Sequence, residues 1–431
     1  MELFLCNRKP KNFNCRIPTA AILQIIMEHL PLIPNLENHP TPYYMYDMGL
    51  LEKTLKQAAE ASGRYGYHMH YAMKANHQKE ILTAVKQHGL GVDCVSGYEV
   101  QAALDLGFDP SEIVFAGVGK TDAEIRLALQ NDIFCFNCES VEELQVISAI
   151  AEMEKITARV ALRVNPGVDA GTHHHITTGL TENKFGIQLP HLQKALQICA
   201  ENIHLHFMGL HFHIGSQITS NEPFINLVHR VNWIWDHYNI NDYGPCMLNL
   251  GGGLGVDYEN PLLNPMPDFA AFFAMISSNL NIPDHISIHF EPGRSLVAQC
   301  GSLITRVLYV KEGLHKQFII ADAGMTEIMR PALYGARHRI DNLSRSTGQV
   351  KTYDVVGPAC ESSDVFASDL RLSSTHRGDL LAIRSCGAYV QSMTLNYNLR
   401  PAAEPVFYYP SFNRLKSLFE GIPEPFMQKA V

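Results

Sequence analysis

A chain of 431 residues, 46% hydrophobic and 18% charged, can bury a large core, and roughly 150 residues per domain leaves room for two or three domains. Its formal net charge of −9, from 34 Lys and Arg against 43 Asp and Glu, gives no electrostatic reason to expect a nucleic-acid partner. A small-molecule ligand is favoured.

In chain order, the apolar stretch Ala20 to Met27 runs into Glu28 and His29. It is too short to span a bilayer and has no small-residue cleavage signature, so it reads as an ordinary helix of a chain that is not membrane-bound. From about residue 50 to 293, short apolar or β-branched runs alternate with longer stretches of helical period, the pattern of repeated βα units around a parallel sheet. The candidate strands are Tyr67 to Met73, Gly91 to Val95, Glu112 to Ala116, Ile133 to Asn137, Arg159 to Asn165, His206 to His213, Met247 to Leu250 and Ile286 to Glu291. Eight such runs predict a closed (β/α)8 TIM-like barrel. The distinctive residues Lys74, Ser96, Asn137, His213, the glycines from Gly251 and Glu291 all fall at strand ends. A barrel carries its site on the loops there, whereas an open doubly wound sheet concentrates it at one switch point.

Ten cysteines scattered along a long chain point to reduced thiols and a cytoplasmic setting. Cys135 and Cys138 have the C-x-x-C spacing, but they sit in an apolar run without a second pair, so they read as buried strand thiols. After Arg294 the texture changes to strand-like runs, Leu303 to Val310, Phe318 to Ala321, Thr352 to Val356 and Leu380 to Arg384, separated by Gly, Asp and Ser turns. The expected organisation is an N-terminal segment 1–47 packing on the β domain, a barrel over 48–294, and a mainly β domain, sandwich- or barrel-like, over 295–431.

Lys74, in Tyr71-Ala72-Met73-Lys74-Ala75-Asn76, follows an apolar strand among small, uncharged neighbours. Desolvation lowers a lysine's pKa and makes its amine a nucleophile toward an aldehyde. The run Asn249-Leu250-Gly251-Gly252-Gly253-Leu254-Gly255 also follows an apolar strand, and glycines let backbone amides close around a phosphate. Each feature is weak by itself, since a strand-end lysine is more often a surface residue. On one barrel, whose last strands often carry a phosphate site, they reinforce each other. Glu291, in Glu291-Pro292-Gly293-Arg294, ends the eighth strand with a carboxylate that can keep a cofactor's ring nitrogen protonated. His213, in His211-Phe212-His213-Ile214-Gly215-Ser216, ends the sixth and can stack on that ring, although a lone histidine there is more often a satisfied core residue.

The motifs Y-A-M-K-A-N, H-I-G-S-Q, G-G-G-L-G and E-P-G-R stand in the order of the fold-type III pyridoxal-5′-phosphate (PLP) dependent decarboxylases, which this chain resembles from about Thr41 to about Pro401. The resemblance implies a PLP-binding barrel joined to a C-terminal β domain, with Lys74 carrying the cofactor. His213, Ser216, Gly251, Gly252, Gly253, Glu291, Gly293, Arg294 and Tyr389 would surround it. The runs Met325 to Tyr334 and Gly357 to Asp364 resemble the diaminopimelate decarboxylases of this group, which make lysine. By that likeness Arg294, Arg330 and Tyr334 would hold the distal carboxylate of the substrate, Glu361 its distal ammonium, and Cys360 would return a proton to the α-carbon, with Tyr389 touching both substrate and cofactor. The physics agrees, because planar cationic donors suit a carboxylate and hinder a purely cationic tail. The resemblance also implies a homodimer in which the loop of Cys360 and Glu361 completes the partner's site.

The family's usual Pro-Tyr-Ile is here His173-His174-His175-Ile176. Adjacent side chains rarely converge on one ion, so no metal is expected. Three rival readings are each opposed by particular residues. A decarboxylase of ornithine, arginine, carboxynorspermidine or a carrier-bound amino acid is opposed by the Arg330 run and Glu361. A racemase of the same barrel pairs its ring nitrogen with arginine, which Glu291 opposes. A catalytically dead regulator typically loses the lysine or the cysteine, and both are present.

Overall fold

A computed structural model describes residue 36 and residues 39–168, 183–345 and 348–410. The apolar stretch 20–27, the histidines 173–175 and the tail after 410 lie outside the described residues. Residues from His39 onward form one compact unit.

The first strand, β1 (Tyr43–Asp47), precedes the barrel. Eight parallel strands then close on themselves: β2 (His68–Ala72), β3 (Gly91–Cys94), β4 (Ile113–Phe115), β5 (Cys135–Cys138), β6 (Ala158–Arg163), β7 (Leu205–His211), β8 (Met247–Asn249) and β9 (Ser287–Phe290). The barrel predicted from the eight apolar runs is present, each strand within two residues or so of its expected bounds. Ring closure comes from β9 pairing back on β2, His289 opposite His68 and Phe290 opposite Met69. The barrel interior holds Val114, Cys135, Ala161, Met208 and Met247. Cys138 packs instead in the larger core outside. The two thiols of the C-x-x-C spacing therefore face opposite sides of β5, and both are free and buried.

Gly209 shows how tightly β7 and β8 are packed. It sits at a register shift between β6 and β7, with φ +149°, and a Cβ there would lie 1.8 Å from the Met247 carbonyl oxygen. No larger residue fits without moving a strand.

Past the barrel the chain forms β10 (Gly301–Glu312), β11 (Gln317–Ala321), β12 (Ile340–Asn342), β13 (Val350–Val356), β14 (Val365–Ser373), β15 (Leu380–Arg384) and β16 (Glu404–Tyr408). Their order is β12-β15-β10-β11-β13-β14, and β1 joins the same sheet by pairing with β10 and β16. The four runs read as strands after Arg294 correspond to β10, β11, β13 and β15. The strands β12, β14 and β16 had not been expected. In β14 the pairing shifts register against β13, Asp369 adopts φ +53°, and most side chains are partly or fully exposed, which erases the apolar alternation.

The sheet is stitched to the barrel mouth beside Lys74. The Asn76 side chain donates to the Gly387 carbonyl at 2.9 Å and to the Tyr46 hydroxyl at 3.0 Å, and the Tyr389 amide donates to the Ala75 carbonyl at 2.8 Å. These bonds fix Tyr389, from beyond β15, over the end of β2.

Candidate active site

Lys74 lies in a single 3-10 turn, Met73–Ala75, immediately after β2. Its amine opens into a cavity of about 360 Å³ lined by Asp93, Arg163, His211, His213, Ser216, Gly253, Glu291, Gly293, Arg294 and Tyr389 among others. That volume is in the range of small-ligand pockets. The expectation of a lysine with a lowered pKa is overturned here. Burial alone would pull Lys74 down, but Asp93, with help from Tyr389 and Glu291, outweighs it and holds the ammonium above the ordinary lysine range. The partner is Asp93 Oδ2 on the neighbouring strand β3, 2.7 Å from Nζ and wholly buried. Burial pushes Asp93 up and Lys74 pulls it back, leaving it at about 7.

Glu291 follows β9 directly, so the turn to Pro292 aims its carboxylate into the barrel mouth. Oε2 meets His211 Nε2 at 2.9 Å, and Oε1 accepts from the side-chain amides of Asn137 and Asn249, each at 2.8 Å. Burial favours the neutral acid, but His211 and Lys74 hold Glu291 well below the usual carboxylate range. It is an anion fixed by three neighbours. His213 lies two residues beyond the end of β7 rather than at it. Burial, with the cations Arg163 and Lys74 nearby, pushes its imidazole down to about 3, so the ring is neutral.

The glycine run divides. Gly253 lines the cavity. The Gly251 amide is used by Asn249 Oδ1 at 2.8 Å and the Gly252 amide by His213 Nδ1 at 3.2 Å. A Cβ at Gly251 would lie 2.2 Å from the Phe212 carbonyl oxygen, and one at Gly252 as close to that of Glu291. These two glycines thus serve close backbone packing, and their amides turn inward.

Arg294 and Arg330, from opposite sides of the junction, converge on Tyr258. The Tyr258 hydroxyl accepts from Nη1 of Arg294 at 2.6 Å and from Nη1 of Arg330 at 2.9 Å. Arg294 also donates to Ser216 Oγ at 3.0 Å and stacks 4.8 Å from the centre of the Tyr389 ring. Arg330 donates to His338 Nε2 at 2.8 Å. Both guanidinium side chains are buried, and among the described residues neither has a carboxylate within ion-pair distance. Buried cations left with only neutral partners are costly, which marks a place built for an anion. Tyr334, partly exposed on the short helix Arg330–Tyr334, is near enough to help hold the charge of Arg294.

Cys360 and Glu361 are not brought to this cavity. Both are exposed on the loop between β13 and β14, where the Cys360 amide donates to Asn398 Oδ1 at 3.2 Å and Glu361 Oε1 accepts from the Ser363 amide. Leu395, Tyr397 and Leu399 on the adjoining segment are exposed, Leu399 to 91%.

Asp93, His211, Tyr258 and His338 were missed from the sequence. Asp93 carried the best signal, a carboxylate inside the apolar run Gly91-Val92-Asp93-Cys94.

The residues fit PLP. A side-chain nitrogen for its aldehyde, an ionised carboxylate for its ring nitrogen and a neutral imidazole for its ring face line one cavity. Asp93 Oδ1 and His211 Nδ1 are buried with no hydrogen-bond partner, as expected of a site completed by a polar ligand.

Fold and site together define a PLP-dependent decarboxylase of the α/β-barrel type, and residues 48–298 match the family model for the pyridoxal binding domain of pyridoxal-dependent decarboxylases. Diaminopimelate decarboxylase of Bacteroides thetaiotaomicron is 48% identical over 361 residues, 84% of this chain and 93% of that protein. That of Vibrio cholerae is 39% identical, over 89% of this chain and 91% of the relative. The crystal structure of diaminopimelate decarboxylase from Helicobacter pylori complexed with L-lysine superposes with a TM-score of 0.82 at 39% identity, covering 86% of this chain and 92% of the other. The chain belongs to the diaminopimelate decarboxylase family.

Proposed function

We propose that the enzyme removes CO2 from meso-2,6-diaminopimelate and releases L-lysine. One observation carries the choice of substrate: Arg294, which lines the Lys74 cavity, meets Arg330 at Tyr258, both buried and, among the described residues, without a carboxylate partner. A substrate with a second carboxylate supplies the missing anion, and ornithine or arginine does not.

When bound, PLP supplies an electron sink for the pair left on the α-carbon as CO2 departs. Lys74 would hold the cofactor through its side-chain nitrogen, which Asp93 Oδ2 keeps in place from 2.7 Å. Glu291, ionised and tied to Asn137, Asn249 and His211, holds a proton on the ring nitrogen. His213 offers a neutral flat face, Tyr389 closes the mouth, and Ser216, Gly253 and Gly293 border the same space. Gly251 and Gly252 shape the loop from behind. Arg294, Arg330 and Tyr334 take the distal carboxylate.

Cys360 Sγ then gives its proton to the α-carbon, and Glu361 receives the distal ammonium, both from the second chain of a homodimer. Their exposure on a loop away from the Lys74 cavity supports this division, as do the apolar Leu395, Tyr397 and Leu399 beside them. We assign the described residues of 48–294 to the cofactor-binding barrel and those from 295 onward to the β domain, with β1 going with the latter on its pairing with β10 and β16. Eight free cysteines among the described residues suit a reducing cytoplasm. No described helix is long and apolar enough to cross a membrane.

The test is CO2 release from meso-diaminopimelate against ornithine, arginine and lysine. Comparable turnover of ornithine or arginine would overturn the substrate assignment.

A further inference from the structure

Tyr258 lies on the loop after the glycine run, partly buried, and is the point where Arg294 and Arg330 meet. Its hydroxyl oxygen receives both Nη1 groups, and the guanidinium carbons lie 5.9 Å (Arg294) and 5.0 Å (Arg330) from its ring centre. Two like charges at one phenol repel each other, so the oxygen and the electron-rich ring are what hold them side by side. A phenol has one proton to give besides the lone pairs that accept. With both arginines donating to the oxygen, that proton points away from them, and no described residue accepts it.

His338 braces the arrangement from behind. The Arg384 carbonyl, 2.7 Å from Nδ1, can only accept, so Nδ1 carries the proton and Nε2 is left as the acceptor for Arg330. The imidazole edge also packs on the Tyr258 ring at 5.0 Å. Arg330 Nη1 is thereby fixed by two neutral acceptors, the Tyr258 oxygen and the His338 nitrogen.

We propose that Tyr258 is the positioning residue of the distal-carboxylate site, joining Arg294 to Arg330 and setting the preference for a substrate that ends in a carboxylate over one that does not. The inference rests on the reading that these arginines receive that carboxylate. A carboxylate seated beside them meets N–H groups of both guanidinium groups, together with the Tyr258 O–H. Without the hydroxyl the guanidinium groups separate, and the second carboxylate loses its advantage while the chemistry at the α-carbon is left intact.

The experiment compares wild type, Tyr258→Phe and Arg330→Ala, each checked for folding by its melting temperature. Binding of meso-diaminopimelate and of L-lysine to cofactor-free protein is measured by calorimetry, and KM and kcat for diaminopimelate are measured with PLP. Tyr258→Phe is expected to lower the diaminopimelate-to-lysine affinity ratio by about ten- to a hundredfold, the loss of hydrogen bonding to charged groups. KM should rise in step, with kcat changed by less than about threefold. If Arg330→Ala collapses the ratio and Tyr258→Phe does not, the arginine reading stands and the role of Tyr258 is refuted. If Arg330→Ala leaves the ratio intact, the arginine reading fails and takes the inference with it. Should Tyr258→Phe not fold, Tyr258→Gln replaces it with the opposite expectation: an acceptor is retained, the preference is kept, and its loss overturns the proposal.

Discussion

The histidines sealed inside this protein make its stability sensitive to acid by an amount that can be worked out. His338 is pushed down to about 3, by burial first and then by the Arg330 cation. His289 is pushed down to about 2, by burial and then by His70 and His68. Unfolded, each returns to about 6.5. A folded pKa below the unfolded one means that the unfolded chain binds more protons, so stability is full above about pH 6.5 and falls as pH drops below it. At pH 5 each group costs about 2 kcal/mol, and the two together about 4 kcal/mol, against a total of roughly 5–15 kcal/mol for a folded domain. Asp93, raised to about 7, works in the opposite direction over the same window. The difference between wild type and variant therefore removes the Asp93 contribution. Denaturant unfolding of wild type, His289→Asn and His338→Gln at pH 7.5 and pH 5, at fixed ionic strength, measures it. Each variant should lose about 2 kcal/mol less stability between the two pH values than wild type does. Slopes identical to wild type in both variants would mean that these imidazoles accept protons in the folded state, and the reasoning from burial would be wrong.

Three further outcomes follow from the site. Lys74→Ala should abolish turnover, and borohydride reduction of the PLP-loaded wild type should leave the pyridoxyl group on the Lys74 peptide; its recovery on another lysine would remove the assignment. Glu291→Gln keeps the size of a side chain held by three hydrogen bonds but loses the charge. Its kcat should fall about thirty- to a hundred-and-fifty-fold, the rate equivalent of about 2–3 kcal/mol, with PLP affinity little changed, and an unaltered kcat in a folded variant would refute the role. Lys74→Ala mixed in equal amount with Cys360→Ala should recover about a quarter of wild-type activity, since about half the re-paired dimers are mixed and each has one intact site of two under two-fold symmetry. With subunit exchange confirmed by tagged chains, a mixture as inactive as its parents would place both residues in one chain's site.

The barrel was legible because a parallel strand covered on both faces is a short apolar run, and such runs ended at Lys74, Asn137 and Glu291, polar residues with no reason to follow a core strand except a site. The partly exposed strand β14 lacked that contrast and passed unread. What the chain did not disclose was pairing across it. Lys74 looked like a desolvated amine because its neighbours in sequence are small and uncharged, but the residue that sets its charge is Asp93, one strand over and 19 positions away. The same holds for the arginines. Arg294 and Arg330 were recognisable by likeness, while Tyr258, which joins them, stands 36 positions from one and 72 from the other in a loop with no motif of its own. Cys360 is the converse case, a residue legible in the sequence that the single folded chain leaves exposed and apart from Lys74. If the proposed role of Cys360 holds, this loop meets another molecule's barrel mouth, and assembly is a condition of activity.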